Sequence, residues 1–91
     1  MKKIKILPFP VSFYLKIIDE IQSPFAGLTR YCQDEGIIIV ELPKTASLET
    51  IVHESMHVIQ YLAKFVETTF DDETQAYLLE FVFNEISKHL E

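Results

Sequence analysis

The sequence predicts a small single-domain α+β protein, with an N-terminal strand and helix, then a β-hairpin, and finally two long helices. Residues 2–7 alternate charged and apolar side chains and residues 37–42 are mostly β-branched, whereas the second half of the chain has apolar residues at helical spacing. A chain of 91 residues is long enough for one domain, which we take as residues 1–91. At 48% hydrophobic residues, with two glycines and four prolines, the composition excludes disordered and low-complexity classes.

The first half of the chain predicts a strand, a helix and a β-hairpin. Residues 2–7 alternate charged and apolar side chains, as a strand does. Residues 11–21 place apolar side chains at helical spacing behind a candidate N-cap, Ser12, and therefore predict a helix. Residues 28–32 and 37–42 are separated by turn residues, which is the signature of a hairpin.

The second half predicts two helices joined by a short connection. The first is the strongest prediction of the chain and runs from about Leu48 to Phe65, with a cap at Ser47 or at Thr45. The second begins at the acidic residues Asp71 and Asp72, whose charges suit a helix N-terminus, and continues to about residue 90.

Charge and cysteine content restrict the partners and the compartment. Fourteen acidic residues against eight basic ones give a net charge of −6, so we expect no nucleic-acid partner. No apolar run approaches the roughly 20 residues that span a bilayer, so we expect no membrane partner. Pro8 interrupts the segment that could imitate a signal peptide, and the single cysteine suits a reducing compartment. Together these features predict a cytoplasmic protein.

The chain contains the pattern His-Glu-x-x-His, formed by His53, Glu54 and His57 in the middle of the first long helix. Side chains at i and i+4 project from one helix face, so both imidazoles can reach one zinc ion. Glu54 lies about 100° further around the helix, where it can take a proton from a zinc-bound water. A metal also suits a small chain whose one cysteine excludes an internal disulfide.

Two histidines do not complete a catalytic zinc site, which usually has three protein ligands. The residues alone leave the third ligand open among Cys32, His89 and several carboxylates. Glu73 is the best placed carboxylate, because it lies in the first turn of the second long helix. It can equally be an exposed acid that stabilises the helix N-terminus.

The run from Asp72 to Tyr77 resembles the glutamate helix of gluzincin metallopeptidases, in which a glutamate three residues before an alanine is the third zinc ligand. Here that pair is Glu73 and Ala76. Many gluzincins have an acid directly after the alanine, where this chain has Tyr77, so the group that orients the zinc histidines stays open. From about Thr29 onward the chain also resembles short metallopeptidase-like proteins encoded by bacteriophages, and its size resembles the single-domain minigluzincins.

The resemblance implies a zincin-like fold with one Zn²⁺ held by His53, His57 and Glu73, and with Glu54 as general base. It also implies a peptide or protein substrate that adds as a strand along the backbone from Gly36 to Glu41. The donor that stabilises the oxyanion stays open among five side chains: Arg30, Tyr31, Tyr61, Tyr77 and His89.

A second function remains open beside the zinc peptidase. The metal could serve folding alone, in a non-catalytic metal-stabilised module that binds another protein. Phe81 and Phe83 are two positions apart on the last helix and point to different sides, so exposure of one of them would mark a homodimer contact.

Overall fold

Four strands and two helices make up the parts of the chain that the computed structural model describes, residues 1–19, 26–32 and 34–90. The strands come first along the chain and the helices follow, which confirms the predicted α+β class. The elements are β1 (Lys2–Lys5), β2 (Ser12–Ile18), β3 (Leu28–Cys32), β4 (Ile37–Pro43), α1 (Leu48–Phe65) and α2 (Asp72–Leu90).

The strands form one mixed sheet in the order β1-β2-β4-β3. β2 and β4 are parallel neighbours at the centre, with Phe13 opposite Ile38, whereas β1 and β3 pair antiparallel with them at the two edges. Side chains on β2 and β4 therefore alternate between an inner face that is buried and an outer face that is partly exposed.

The predicted helix over residues 11–21 is wrong in the part that the structure describes, where residues 12–18 form the central strand β2. Phe13 and Leu15 are almost fully buried, while Tyr14 between them is only partly buried. This alternation has the period of a strand. β-branched and aromatic side chains favour such a half-buried pleated surface, and pairing on both edges of β2 outweighs the helical spacing of its apolar residues. Residues 20–25 lie outside the described part.

Both helices pack on the inner face of the sheet. Fifteen apolar residues from the sheet half and the two helices form one buried core, which includes Phe13, Val40, Val58 and Val82. α1 contacts β3, β4 and α2, and the buried residues of α2 join the same core. On α2, Phe81 and Phe83 are both partly buried.

The structure confirms the predicted start of helix α1 and the predicted turn of the hairpin. Ser47 caps α1, since its hydroxyl accepts a hydrogen bond from the Thr50 N–H at 3.2 Å. Gly36 in the hairpin turn has a φ of +63°, in the left-handed region that glycine adopts without strain. A side chain at position 36 would also meet the ring of Phe65, so the glycine allows the end of α1 to approach the hairpin.

In the described residues, no helix combines the length and the apolar character needed to cross a membrane.

Asp71 caps α2 through its carboxylate, which accepts a hydrogen bond from the Thr74 N–H at 2.7 Å. Hydrogen bonds from the hydroxyl and the backbone of Thr74 lower the pKa of Asp71 below its ordinary value of 3.8. A carboxyl group whose pKa falls on folding stabilises the fold above its unfolded pKa. That contribution is lost as the pH falls through the folded pKa.

We therefore expect Asp71→Asn to lower the melting temperature at neutral pH, and the difference from wild type to shrink as the pH falls below 3.8 and through the lowered pKa of Asp71. Thermal unfolding across this pH range checks the expectation. Asp72→Asn removes the same charge one residue later and serves as the control, with a smaller effect. A loss that stays constant down to low pH would contradict the assignment.

Candidate metal centre on helix α1

The buried face of α1 decides where its polar residues point. Six residues of α1 are buried: Ile51, Glu54, Ser55, Val58, Ile59 and Leu62. With this face fixed against the core, His53 is exposed and His57 is partly buried on the outer side of the helix. Glu54 instead points inward and is 5% exposed. The spacing of the His-Glu-x-x-His pattern thus separates the two imidazoles from the carboxylate.

The imidazoles of His53 and His57 face each other through their Nε2 atoms, which are 3.2 Å apart. The rings are nearly perpendicular, with an interplanar angle of 84°. Two nitrogen ligands at 2.0–2.1 Å from a tetrahedral zinc ion lie about 3.3–3.4 Å apart. The observed separation fits two corners of a zinc tetrahedron, so this pair of nitrogens fits a zinc ion.

Gln60 orients the second imidazole. Its side-chain oxygen lies 2.9 Å from Nδ1 of His57. Because an amide oxygen only accepts, Nδ1 carries the proton, and the lone pair of His57 is on Nε2, the atom that faces His53. This is the arrangement in which metal-binding histidines are usually held. The sequence left the orienting group open, although Gln60 stands three positions after His57, within reach on the same helix.

The carboxylate of Glu54 is bound to the edge strand β3. Its Oε1 atom accepts a hydrogen bond from the hydroxyl of Thr29 at 2.6 Å. Gly27 lies directly before β3, and a Cβ atom there would come within 3.0 Å of the Glu54 side chain. The absence of a side chain at Gly27 therefore lets the start of β3 approach α1 around this carboxylate. Thr29 was not identified from the sequence, because nothing in its local pattern indicates a partner 25 residues away.

The third expected ligand, Glu73, is exposed in the first turn of α2. Among the described residues, no group of three or more histidine, cysteine, aspartate or glutamate side chains is arranged to hold a metal ion. The structure thus brings His53 and His57 together, but it does not place Glu73 beside them. Four residues of α2 line a surface groove with Val52, the neighbour of His53, and the only acid among them is Glu80.

The expected position of the substrate strand, from Gly36 to Glu41, is wrong. Residues 37–43 form β4, whose two backbone edges are already paired with β2 and β3. A peptide cannot add to a strand in the interior of a sheet. Among the described strands, the edges of the sheet are β1 and β3, and β3 is the edge that contacts α1 beside Glu54.

The remaining candidate side chains have other contacts. His89 is bound to its own helix, with Nδ1 2.7 Å from the carbonyl oxygen of Glu85. Cys32, which we considered as a ligand, is exposed at the end of β3. The other four oxyanion candidates are engaged elsewhere or exposed: Tyr31 and Tyr61 stack on each other with ring centres 5.2 Å apart, Arg30 forms an ion pair with Glu41, and Tyr77 is 64% exposed.

Comparisons of the chain with protein-family models, with curated proteins and with solved structures found no match.

Removal of the Thr29 hydroxyl tests the role of β3 in holding Glu54. Thr29→Val leaves a buried carboxylate oxygen without its donor, so we expect it to lower the free energy of unfolding by about 1–3 kcal/mol. Thr29→Ser keeps the hydroxyl and should cost clearly less. Urea unfolding of both variants measures the difference, and equal losses would show that the hydrogen bond contributes little.

Proposed function

We propose that this protein is a zinc-dependent peptidase of the minimal gluzincin type. The observation that carries the proposal is the pair of Nε2 atoms of His53 and His57, 3.2 Å apart. Gln60 holds one imidazole in the tautomer that can bind a metal. Without an ion between them, one of these two nitrogens must donate a hydrogen bond to the other. With zinc present, both lone pairs have a partner.

His53, His57 and Glu73 would hold the zinc ion. Two imidazole nitrogens and a carboxylate oxygen form a ligand set that zinc prefers. Val52 of α1 lines one surface groove with Ala76 and Glu80 of α2, so these parts of the two helices lie opposite each other. The chain reverses direction between the end of α1 and the start of α2. About one helical turn closer to this connection than Val52, α1 therefore carries His57 and α2 carries Glu73. Binding of the ion would require the Glu73 side chain and the first turn of α2 to move towards the two imidazoles.

Glu54 would act as the general base and acid of the reaction. A bound zinc ion polarises the scissile carbonyl and makes water more acidic. Glu54 takes a proton from the attacking water and later gives it to the amine that leaves. The Thr29 hydroxyl holds one carboxylate oxygen of Glu54, which fixes the side chain and leaves the second oxygen to accept the proton.

The substrate would be a peptide segment that adds to the outer edge of β3. This edge belongs to the strand that contacts Glu54, so an added strand would run past the carboxylate. We place the reaction in the cytoplasm, a compartment that suits the single, exposed Cys32.

The burial of Glu54 favours one further candidate, a non-catalytic module that a metal stabilises. A carboxylate that is 5% exposed and bound by Thr29 would serve as a structural contact between α1 and β3 in such a module. The two functions share the metal ion and differ in what Glu54 does.

Zinc binding depends on the histidine pair in both cases. We expect wild-type protein to bind about one zinc ion per chain, and both His53→Ala and His57→Ala to lose it. His89→Ala is the matched control and should keep the metal, because His89 bonds to the backbone of its own helix. Competition with a chromophoric chelator measures the affinities. Unchanged binding in His53→Ala would refute the site, and unchanged binding in Glu73→Ala would exclude Glu73 as a ligand.

The exchange of Glu54 for glutamine separates the two functions. Glu54→Gln keeps an oxygen for Thr29 but cannot accept the proton, so we expect zinc binding to persist while peptide cleavage falls by about 10²- to 10⁴-fold. Cleavage of a pool of quenched fluorescent peptides measures activity, with Glu67→Gln, at an exposed position just after α1, as control. Full activity in Glu54→Gln would contradict the mechanism. Zinc binding without any cleavage by wild type would favour the module.

A further inference from the structure

The outer face of the sheet, opposite the helices, is basic. Strand alternation and pairing register place four basic side chains on it, from β1, β2 and β3: Lys3, Lys5, Lys16 and Arg30. All four are exposed. The strands contribute one acid to this face, Glu41, which is bound to Arg30 at 2.7 Å. The three lysines are therefore left as excess positive charge.

This basic face stands out in an acidic chain. Residues 44–91 contain nine acidic and three basic side chains, and they account for the whole net charge of −6. Residues 1–43 contain five of each. The positive charge of the sheet half is concentrated on the outer face, so the molecule has opposite charges on its two sides.

The centre of the outer face is apolar. Ile37 and Ile39 on β4 point outward and are partly exposed, and Tyr14 lies beside Ile39 in the pairing register. A row of side chains thus crosses the sheet from Lys3 through Tyr14 and Ile39 to Arg30. Both helices contribute their buried residues to the core on the inner face, so in the described parts of the chain these isoleucines are not covered by a helix.

We propose that the outer sheet face binds an acidic, amphipathic segment of a partner protein. Carboxylates of such a segment would pair with Lys3, Lys5 and Lys16 around the rim, and its apolar side chains would cover Ile37 and Ile39. Complementary charge would speed the encounter, and burial of the isoleucines would provide the affinity.

A nucleic acid fits this face less well than a protein segment. Sheets that bind single strands present several aromatic side chains for base stacking, whereas the central row here has one, Tyr14. A long polyanion would also extend over the acidic helical side of the molecule, which repels it. A short acidic peptide can remain on the basic face.

The test uses a short fluorescein-labelled peptide, patterned as an amphipathic helix with leucines on one side and flanking glutamates. Binding to the intact protein is followed by fluorescence anisotropy. We expect the combined change Lys3→Glu and Lys5→Glu to weaken binding by about tenfold or more. Lys64→Glu with Lys88→Glu changes the net charge equally on the two helices and should have less than about a twofold effect. Circular dichroism verifies that each variant is folded.

Two further measurements complete the test. Ile37→Thr keeps a β-branched residue but removes apolar area, and we expect about a threefold loss of affinity. A peptide with glutamines in place of the glutamates should bind at least about tenfold more weakly. His53→Ala should bind the acidic peptide as wild type does, because this surface is independent of the metal centre.

Several results would overturn the proposal. Equal losses in the two lysine pairs would show that the outer face is not the binding surface. Tighter binding of a single-stranded oligonucleotide or of anionic phospholipid vesicles, lost on reversal of Lys3 and Lys5, would assign the face to those partners instead. Concentration-dependent dimerisation that the same reversal abolishes would assign it to a second copy of the chain.

Discussion

The rotation of α1 about its own axis is the constraint on which the rest of the structure depends. Six buried residues fix one side of this helix against the core. The spacing of the His-Glu-x-x-His pattern then determines the directions in which its two histidines and its glutamate point. His53 and His57 are turned outward as a pair, while Glu54 is turned towards β3. A slip of one residue in one direction would bury both imidazoles, and a slip in the other direction would expose the carboxylate. The packing of the core therefore fixes the arrangement of the candidate metal centre.

The fold separates two surfaces with different chemistry. The helical side is acidic and contains the histidine pair, whose ion would offset part of the negative charge. The outer sheet face is basic around an apolar centre. β3 belongs to both surfaces, because Thr29 points inward to Glu54 and Arg30 points outward to Glu41.

Much of this structure could be predicted from local pattern. The helix from Leu48 to Phe65, its cap at Ser47 and the hairpin follow from apolar spacing and turn residues, which act over a few positions. β2 was predicted as a helix because its strand state depends on two neighbours that are distant in the sequence. The contact of Thr29 with Glu54 and the interior position of β4 also depend on residues that are distant in the sequence, so local pattern did not predict them. The alignment of Glu73 with the histidines depends on how two helices cross, which spacing along one helix does not determine.

A crystal structure of the protein grown with zinc, with anomalous data collected at the zinc absorption edge, tests the central claim most directly. We predict one anomalous peak at about 2.0–2.1 Å from Nε2 of both His53 and His57, with the Glu73 carboxylate as the third protein ligand. A peak bound elsewhere, or imidazoles that keep their contact with no ion between them at saturating zinc, would contradict the account.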